Sequence, residues 1–173
     1  MPKQRGKSRG VTFFELLATM AIILVLAAVA MPLSKVTAKR VKEVELRQAL
    51  REVRIAIDRF KDDWDRDANR LIGPLCQANQ TSCKEASSIN GYPKTLDVLL
   101  EIHLSGEAAT IRGQTMKRYL RKVPNDPMTG KTEWALRCYT DEPDSRSWCG
   151  EDVFDVHSTS DKTSLDGTPY NEW

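Results

Sequence analysis

The pattern of apolar and charged positions divides the first 70 residues into two kinds of helix. From Val11 to Leu33 the chain carries a single charge, Glu15, in an otherwise apolar or small stretch, and about 20 apolar residues suffice for a helix to cross a membrane. Beyond that stretch an apolar residue recurs every three or four positions among charged ones, at Leu46, Leu50, Val53, Ile57, Phe60 and Trp64. We predict one helix from about Thr12 to about Arg70, whose second part lays an apolar stripe on a globular head.

The rest of the chain alternates loops with short elements. Gly73-Pro74 is a helix-ending dipeptide, and a polar, loop-like stretch follows it. After Pro93 a short helix is predicted, with Thr95 as its cap and with one apolar face made by Leu96, Leu99, Leu100 and, more weakly, Leu104. Residues 105–130 are mixed and rich in turn-forming residues.

Two short strands are predicted near the C-terminus. Residues 132–140 alternate Trp134, Leu136, Cys138 and Thr140 with residues of the other face, and residues 153–159 alternate less cleanly. The fold class is therefore α+β: a long N-terminal helix, apolar in its first half and amphipathic in its second, packed on a small C-terminal antiparallel sheet.

Three interpretations of the N-terminus follow from the residues. Ala28-Val29-Ala30 has the small-x-small pattern of a signal-peptidase site, which favours a secretory signal peptide. The apolar length alone fits a single-pass anchor. Neither explains Glu15, because a carboxylate in a membrane-length segment is costly and indicates a function, and a plain anchor does not explain the junction at Gly10.

The residues around Gly10 resemble the N-terminus of type IV prepilins and pseudopilins. The basic leader MPKQRGKSRG precedes Val11, Thr12, two phenylalanines, Glu15 and the apolar helix. In that family a prepilin peptidase cuts after the glycine, the new first residue is N-methylated, and a glutamate stands at the fifth mature position. The resemblance implies cleavage between Gly10 and Val11, N-methylation of Val11, and a role for Glu15 in filament assembly.

The resemblance also implies how charge and backbone act in assembly. Cleavage would create an ammonium group on Val11 in surroundings where an unpaired charge is costly. Glu15 could neutralise it either within the same helix, four residues along, or from a neighbouring subunit of a staggered filament. Pro32 occupies the family's proline position. Because proline removes a backbone donor and clashes with the carbonyl four residues back, we expect a kink or local melting near Ala28.

Two features of the C-terminal half resemble the major pseudopilins of type II secretion systems. Pro124, Asp126 and Pro127 match their Pro-x-Asp-Pro stretch, which in physical terms fixes a turn before a strand. Major pseudopilins also hold calcium in the corresponding acidic loop, and calcium takes roughly six to eight oxygen ligands. The resemblance therefore implies a structural calcium ion, with Asp161 and Asp166 as side-chain ligands and Ser158 and backbone carbonyls around them. Asp155 is the weaker candidate, because its position on a strand is expected to point it elsewhere.

Four cysteines follow the apolar segment, at Cys76, Cys83, Cys138 and Cys149. An even number of cysteines in an exported domain favours disulfides. Their spacings favour Cys76–Cys83 and Cys138–Cys149, although four cysteines allow three pairings. A zinc site is the alternative, but no Cys-x-x-Cys and no flanking histidine supports it.

Charge and motifs narrow the function further. The formal charge is +2, and removal of the leader's four cations leaves −2. No stripe of basic residues with interleaved aromatics supports nucleic-acid binding. His103 and His157 match no nucleophilic or metal motif, so the chain is predicted not to be an enzyme.

The boundaries predicted for the chain are a leader at 1–10, a transmembrane or filament-core helix at 11–33, its amphipathic continuation at 34–72, and a periplasmic head at 73–173. The resemblance implies a structural subunit of a type II secretion pseudopilus. It would be a single-pass protein of the bacterial inner membrane, polymerising into a periplasmic filament that helps to export folded proteins. The implied partners are other copies of the chain, minor pseudopilins, the prepilin peptidase/methyltransferase, a platform protein and a secretion ATPase. A major type IV pilin, a minor pseudopilin, and a membrane-anchored binding domain or enzyme are the alternatives.

Overall fold

The computed structural model describes residues 10–65, 85–103, 116–145 and 147–173. The predicted long helix is confirmed over the described range as α1, Phe13–Asp65, and the predicted end near Arg70 lies outside that range. The chain divides into two compact units, Met1–Arg40 and Val41–Trp173.

The described element of the first unit is the N-terminal part of α1. Its large apolar side chains are exposed. The helical assignment runs without a break through Ala28 and Pro32, so local melting at the proline is not seen. A bend at this position stays a prediction.

The second unit is built on the predicted stripe of α1. Five of the six stripe positions are buried, at Leu46, Leu50, Val53, Ile57 and Phe60, and the side chain of Trp64 lies outside the described residues. Ala49 and Ala56 complete the buried face, and the small side chains let other parts of the chain approach the helix. The period of three and four residues therefore predicted the packed face correctly.

The predicted short helix is α2, Leu96–Leu100, whose Leu99 is fully buried in the same core. Thr95 stands at the N-cap with an extended backbone but makes no side-chain capping hydrogen bond, so its predicted capping role is wrong. A two-stranded antiparallel sheet follows, formed by β1, Ile102–His103, and β2, Met116–Lys117. Strands of two residues carry no readable alternation, which is why this pair was not predicted.

The two predicted strands form a second antiparallel pair, β3, Ala135–Arg137, and β4, Asp155–His157. Leu136 stands opposite Val156, and the buried Val156 turns its side chain into the core. The α+β class is thus confirmed, with two small antiparallel sheets in place of one.

The Pro-x-Asp-Pro stretch folds into a turn centred on a buried carboxylate. Asp126 Oδ1 accepts the main-chain N–H of Met128 at 2.7 Å, and Asp126 Oδ2 accepts the hydroxyl of Ser158 at 2.6 Å. Gly130 closes the turn in a left-handed conformation, φ +75°, that favours glycine. The indole N–H of Trp134 donates to Pro124 O at 3.0 Å, which fixes the turn against the core.

Candidate functional site

The segment around the predicted cleavage site lies outside the helix and is exposed. Gly10, Val11 and Thr12 precede α1 and are accessible. Thr12 caps the helix, because its Oγ1 accepts the main-chain N–H of Glu15 at 3.3 Å and its carbonyl accepts the N–H of Leu16 at 3.1 Å. A peptidase would therefore meet a non-helical, accessible junction.

Glu15 sits in the first turn of α1, and the sequence Thr12-x-x-Glu15 matches a capping box. Only half of that box is formed, since the Glu15 carboxylate does not bond back to the N–H of Thr12. Within the described part of the chain no hydrogen-bond donor or cation pairs with this carboxylate. Thr19, the other polar residue between Phe13 and Leu33, donates its hydroxyl to Leu16 O at 2.9 Å.

The apolar segment of α1 is not covered by any of the residues that the structure describes. An 18-residue window of it has a mean hydropathy of 2.6 and is 0% buried. By length and composition this helix could cross a membrane. Its exposed large side chains include Phe13, Phe14, Leu16, Leu17, Met20, Ile22, Ile23, Leu24, Val25, Leu26, Met31 and Leu33.

The three predicted calcium ligands are engaged with protein groups. Ser158 is fully buried and donates its hydroxyl to Asp126. Asp166 is exposed, and its Oδ1 accepts the hydroxyl of Ser164 together with both the N–H and the hydroxyl of Thr168. These hydrogen bonds and the nearby Arg47 lower the pKa of Asp166 to about 2.

Asp161 is the predicted ligand with the most open carboxylate, accepting only a 3.3 Å hydrogen bond from Asn171 Nδ2 within the described part of the chain. In residues 10–65, 85–103, 116–145 and 147–173, the one group of three metal-ligating side chains is Cys138, Asp141 and Cys149. Its two cysteines form a disulfide and cannot bind a cation as thiolates. The residues as arranged do not fit a calcium cage, and calcium binding stays a prediction of the resemblance.

The C-terminal loop is held on α1 by side chains of the helix. Glu43 Oε1 accepts the main-chain N–H of Leu165 at 2.8 Å and the hydroxyl of Tyr170 at 2.9 Å. Burial and this carboxylate raise the pKa of Tyr170 to about 12. One turn further, the guanidinium of Arg47 lies 4.4 Å from the ring centroid of Trp173. These contacts hold the C-terminal loop on α1.

A cluster of charges ties β3 and β4 to the same helix. Asp155 accepts hydrogen bonds from Arg54 and Arg137, each at 2.7 Å, and Arg54 also donates to Val156 O and Trp173 O. Burial favours a raised pKa for Asp155, but the hydrogen bond and charge of Arg54 outweigh it, so the pKa lies below its usual value. The carboxylate of Asp155 is thus engaged by the two arginines.

His157 lies inside that cluster. Its Nδ1 is 3.0 Å from Trp173 O, and its Nε2 is buried 3.5 Å from Asp155 Oδ2 without a hydrogen-bond partner among the described residues. Burial lowers the pKa of His157 below its usual value, against the opposing charge of Asp155. The imidazole is therefore held neutral near physiological pH.

The structure confirms one of the two predicted disulfides. Cys138 and Cys149 are bonded with an S–S distance of 2.01 Å, closing the connection between β3 and β4. Cys76 and Cys83 lie outside the described residues. Under the closed loop, the buried Asp152 accepts hydrogen bonds from Ser88 Oγ and from the N–H of Tyr139.

Glu43, Arg54, Asp126 and Asp152 were missed by the sequence-based choice of site residues. Glu43 and Arg54 pair with residues more than 100 positions away, so no local pattern marks them. Asp126 could have been found, because it stands in the quoted turn motif.

Comparison of this chain with protein-family models, with curated proteins and with solved structures finds no significant match. The functional argument therefore depends on the residues and contacts described above.

Proposed function

We propose that this chain is a structural subunit of a type II secretion pseudopilus. It is cleaved after Gly10, N-methylated at Val11, held in the bacterial inner membrane by the first part of α1, and assembled into a periplasmic filament that helps to export folded proteins. The proposal is carried by Glu15, a carboxylate that no cation or hydrogen-bond donor among the described residues pairs with, at the head of an exposed apolar helix.

The uncovered helix supports a membrane and filament role. Soluble monomers rarely expose contiguous apolar surface on this scale. Leu24, in the middle of the segment, is 69% exposed. A bilayer covers such a helix before assembly, and the helices of neighbouring copies cover it afterwards.

Glu15 adds a charge to the apolar helix that a simple membrane anchor would not need. Thr19 satisfies its hydroxyl within its own helix, and leucine, isoleucine and valine need no partner. An unpaired carboxylate in apolar surroundings is costly, and a cation removes that cost only in good geometry. The ammonium group of a cleaved Val11 on a neighbouring copy is such a cation, so charge pairing sets the stagger between subunits.

The test uses Glu15→Gln in the full chain, with Thr19→Val as the matched control. Glutamine retains the capping-box chemistry but removes the charge. We expect Glu15→Gln to fractionate with membranes as the unchanged chain does and to form no fibres in electron micrographs. Thr19→Val should form fibres normally. Normal fibres from Glu15→Gln would contradict the proposal.

The mass of the membrane-extracted protein tests the processing step. We expect the chain to start at Val11 and to carry one added methyl group. A start at Met31 would instead support cleavage of a signal peptide after Ala30, and a retained leader would remove the ammonium group on which the pairing depends.

A second candidate, a major type IV pilin, is favoured by the Cys138–Cys149 disulfide. Disulfide closure of the C-terminal region is commoner in true pilins than in pseudopilins. Immunogold labelling separates the two, since a pilin forms fibres outside the cell and a pseudopilin remains in the periplasm at natural expression levels.

A further inference from the structure

A groove with a volume of about 460 Å³ runs along the second unit, between α1 and residues 119–121. The buried side chains of Ala56 and Leu120 and the exposed side chain of Ile55 supply its apolar surface. Its rim carries three arginines, and we call this surface the arginine groove; they are Arg51, Arg59 and Arg121.

The three rim arginines are unpaired in the part of the chain that the structure describes. The one acid lining the groove, Glu52, makes no ion pair with them there. Neighbouring arginines behave differently, since Arg54 binds Asp155 and Arg118 binds Glu101 at 2.7 Å. The groove therefore presents an excess of positive charge around an apolar floor, which favours a partner that is both acidic and apolar.

Another surface of the same unit has the complementary character. The connection closed by Cys138–Cys149 and the two residues after it expose three carboxylates that no cation contacts among the described residues, 138–145 and 147–151; they are Glu142, Asp144 and Glu151. Between them Trp148 is 40% exposed. We call this surface the disulfide loop.

Hydrogen bonds and the disulfide hold the described residues of the disulfide loop in place. The indole N–H of Trp148 donates to Asp152 O at 2.6 Å, and the N–H of Cys138 donates to Asp141 Oδ2 at 2.8 Å. The disulfide closes the loop at its base. A fixed loop loses little conformational freedom on binding, so more of its contact energy appears as affinity.

We propose that the arginine groove of one copy receives the disulfide loop of a second copy. The inference rests on the proposed filament and names a head-to-head contact within it. Glu142 and Asp144 pair with the rim arginines, and Trp148 lies on the apolar floor, where guanidinium groups stack on its ring. Buried tryptophan and arginine are the residue types that most often dominate binding energy.

The geometry of the contact suits a fibre. The groove and the loop are different surfaces of one chain, so the contact is heterologous. Repeated from copy to copy, such a contact produces a ring or a helical filament and not a closed two-fold dimer. The charges also select one orientation, because a reversed approach places arginines against arginines.

A photocrosslinking amino acid at Ile55 of the full chain, expressed in membranes, tests the contact. We expect a crosslinked dimer whose attachment point, mapped by mass spectrometry, lies within residues 140–151 of the second copy. Combining Arg51→Glu with Arg59→Glu should lower the crosslink yield roughly tenfold through like-charge repulsion. Combining Glu142→Arg with Asp144→Arg should do the same.

Charge restoration provides the decisive step. All four reversals in one chain should restore the crosslink, because each groove then meets a loop of opposite sign. The control pair Lys42→Glu and Lys122→Glu makes the same change in net charge at exposed positions outside the groove, and it should leave the yield unchanged.

The outcomes separate this contact from the filament itself. A crosslink to lipid, to another surface of the second copy, or to no partner overturns the docking, as does failure of the four reversals to restore it. Fibres are scored independently by electron microscopy. Fibres without the mapped crosslink would leave the proposed function standing, whereas loss of fibres from the unchanged chain would overturn the proposed function.

Discussion

The two parts of α1 contain similar apolar residues but have opposite environments. Leu24, in the first part, is 69% exposed, whereas Leu46 and Val53, in the second, are fully buried. Leucine is apolar in both places, and the difference lies in the neighbours along the chain. A helix that is apolar on all sides is found buried in a protein core or spanning a membrane. A helix with a single apolar stripe between charged flanks packs that stripe on a globular domain.

The comparison indicates which surroundings each part requires. Nothing among the described residues covers the first part, and in the proposed function lipid or other copies of the chain would cover it. The second part holds the head together through its buried stripe while its exposed side offers charges such as those of the arginine groove. Substitutions in one part should therefore affect assembly, and substitutions in the other should affect stability.

The largest expected difference comes from the same change made in both parts. Leu50→Ala removes a buried side chain and should lower the free energy of unfolding of the head by about 2–5 kcal/mol. Leu24→Ala should change it by less than about 0.5 kcal/mol. Urea unfolding of the full chain in detergent, followed by tryptophan fluorescence, measures both. Equal losses would show that the two parts do not differ as described.

Removing the disulfide tests whether the stability of the head comes from cross-links within the head and not from the apolar segment. Replacing Cys138 and Cys149 together by alanine should lower the free energy of unfolding by about 2–3 kcal/mol, because the unfolded chain gains conformational freedom. Retention in the membrane fraction should not change. An unaltered unfolding curve would mean that hydrogen bonds alone maintain the loop.

Glu43 tests the attachment of the C-terminal loop to α1. Glu43→Ala leaves the hydroxyl of Tyr170 and the N–H of Leu165 without their acceptor, and should cost about 1–3 kcal/mol. Glu45, exposed two positions along the same helix, is the matched control, and Glu45→Ala should stay within about 0.5 kcal/mol. Similar losses for the two variants would contradict the anchoring role.

Burial of His157 should make the stability of the head depend on pH, with a smaller effect than the substitutions above. Its pKa is lowered on folding, so the unfolded chain binds the proton more readily. Stability should be complete above the unfolded pKa of about 6.5 and decrease as pH falls below it. The anion that faces the ring is Asp155, and the cations near it are Arg54 and Arg137. The pKa of Asp155 is also lowered on folding, so the protein should lose further stability as pH falls through the range in which an ordinary aspartate titrates and below it.

The second histidine of the chain provides the control for that profile. His157→Gln should flatten the loss of stability between pH 7 and about pH 5.5. His103 is exposed beside Glu101 at 3.0 Å, and His103→Gln should preserve the slope of the unchanged chain. A flat profile in the unchanged chain would contradict the burial argument.

The smallest effect is expected from chelation. Ser158 and Asp166 are hydrogen-bonded to protein groups, and Glu43 holds the loop. Addition of a calcium chelator to purified full chain should leave the melting temperature unchanged. A decrease that Asp161→Ala abolishes would establish the calcium ion that the resemblance implies.

Sequence reasoning succeeded where the determinants are local. The stripe from Leu46 to Phe60, the strands β3 and β4, and the pairing of Cys138 with Cys149 follow from spacing over fifteen residues or fewer. The pair of strands β1 and β2 was missed because each has two residues. The pairing of Arg54 with Asp155, 101 positions apart, is a consequence of the tertiary fold and leaves no trace in a local pattern.

The cap formed by Thr12 has a consequence for the order of events in maturation. The helix takes its first hydrogen bonds from residues on the mature side of Gly10. If the leader is cut after Gly10 as proposed, the capping contacts of Thr12 stay with the mature chain. The cut would then change the charge at the N-terminus without removing those contacts, so folding of the subunit and its activation for assembly would be separate steps.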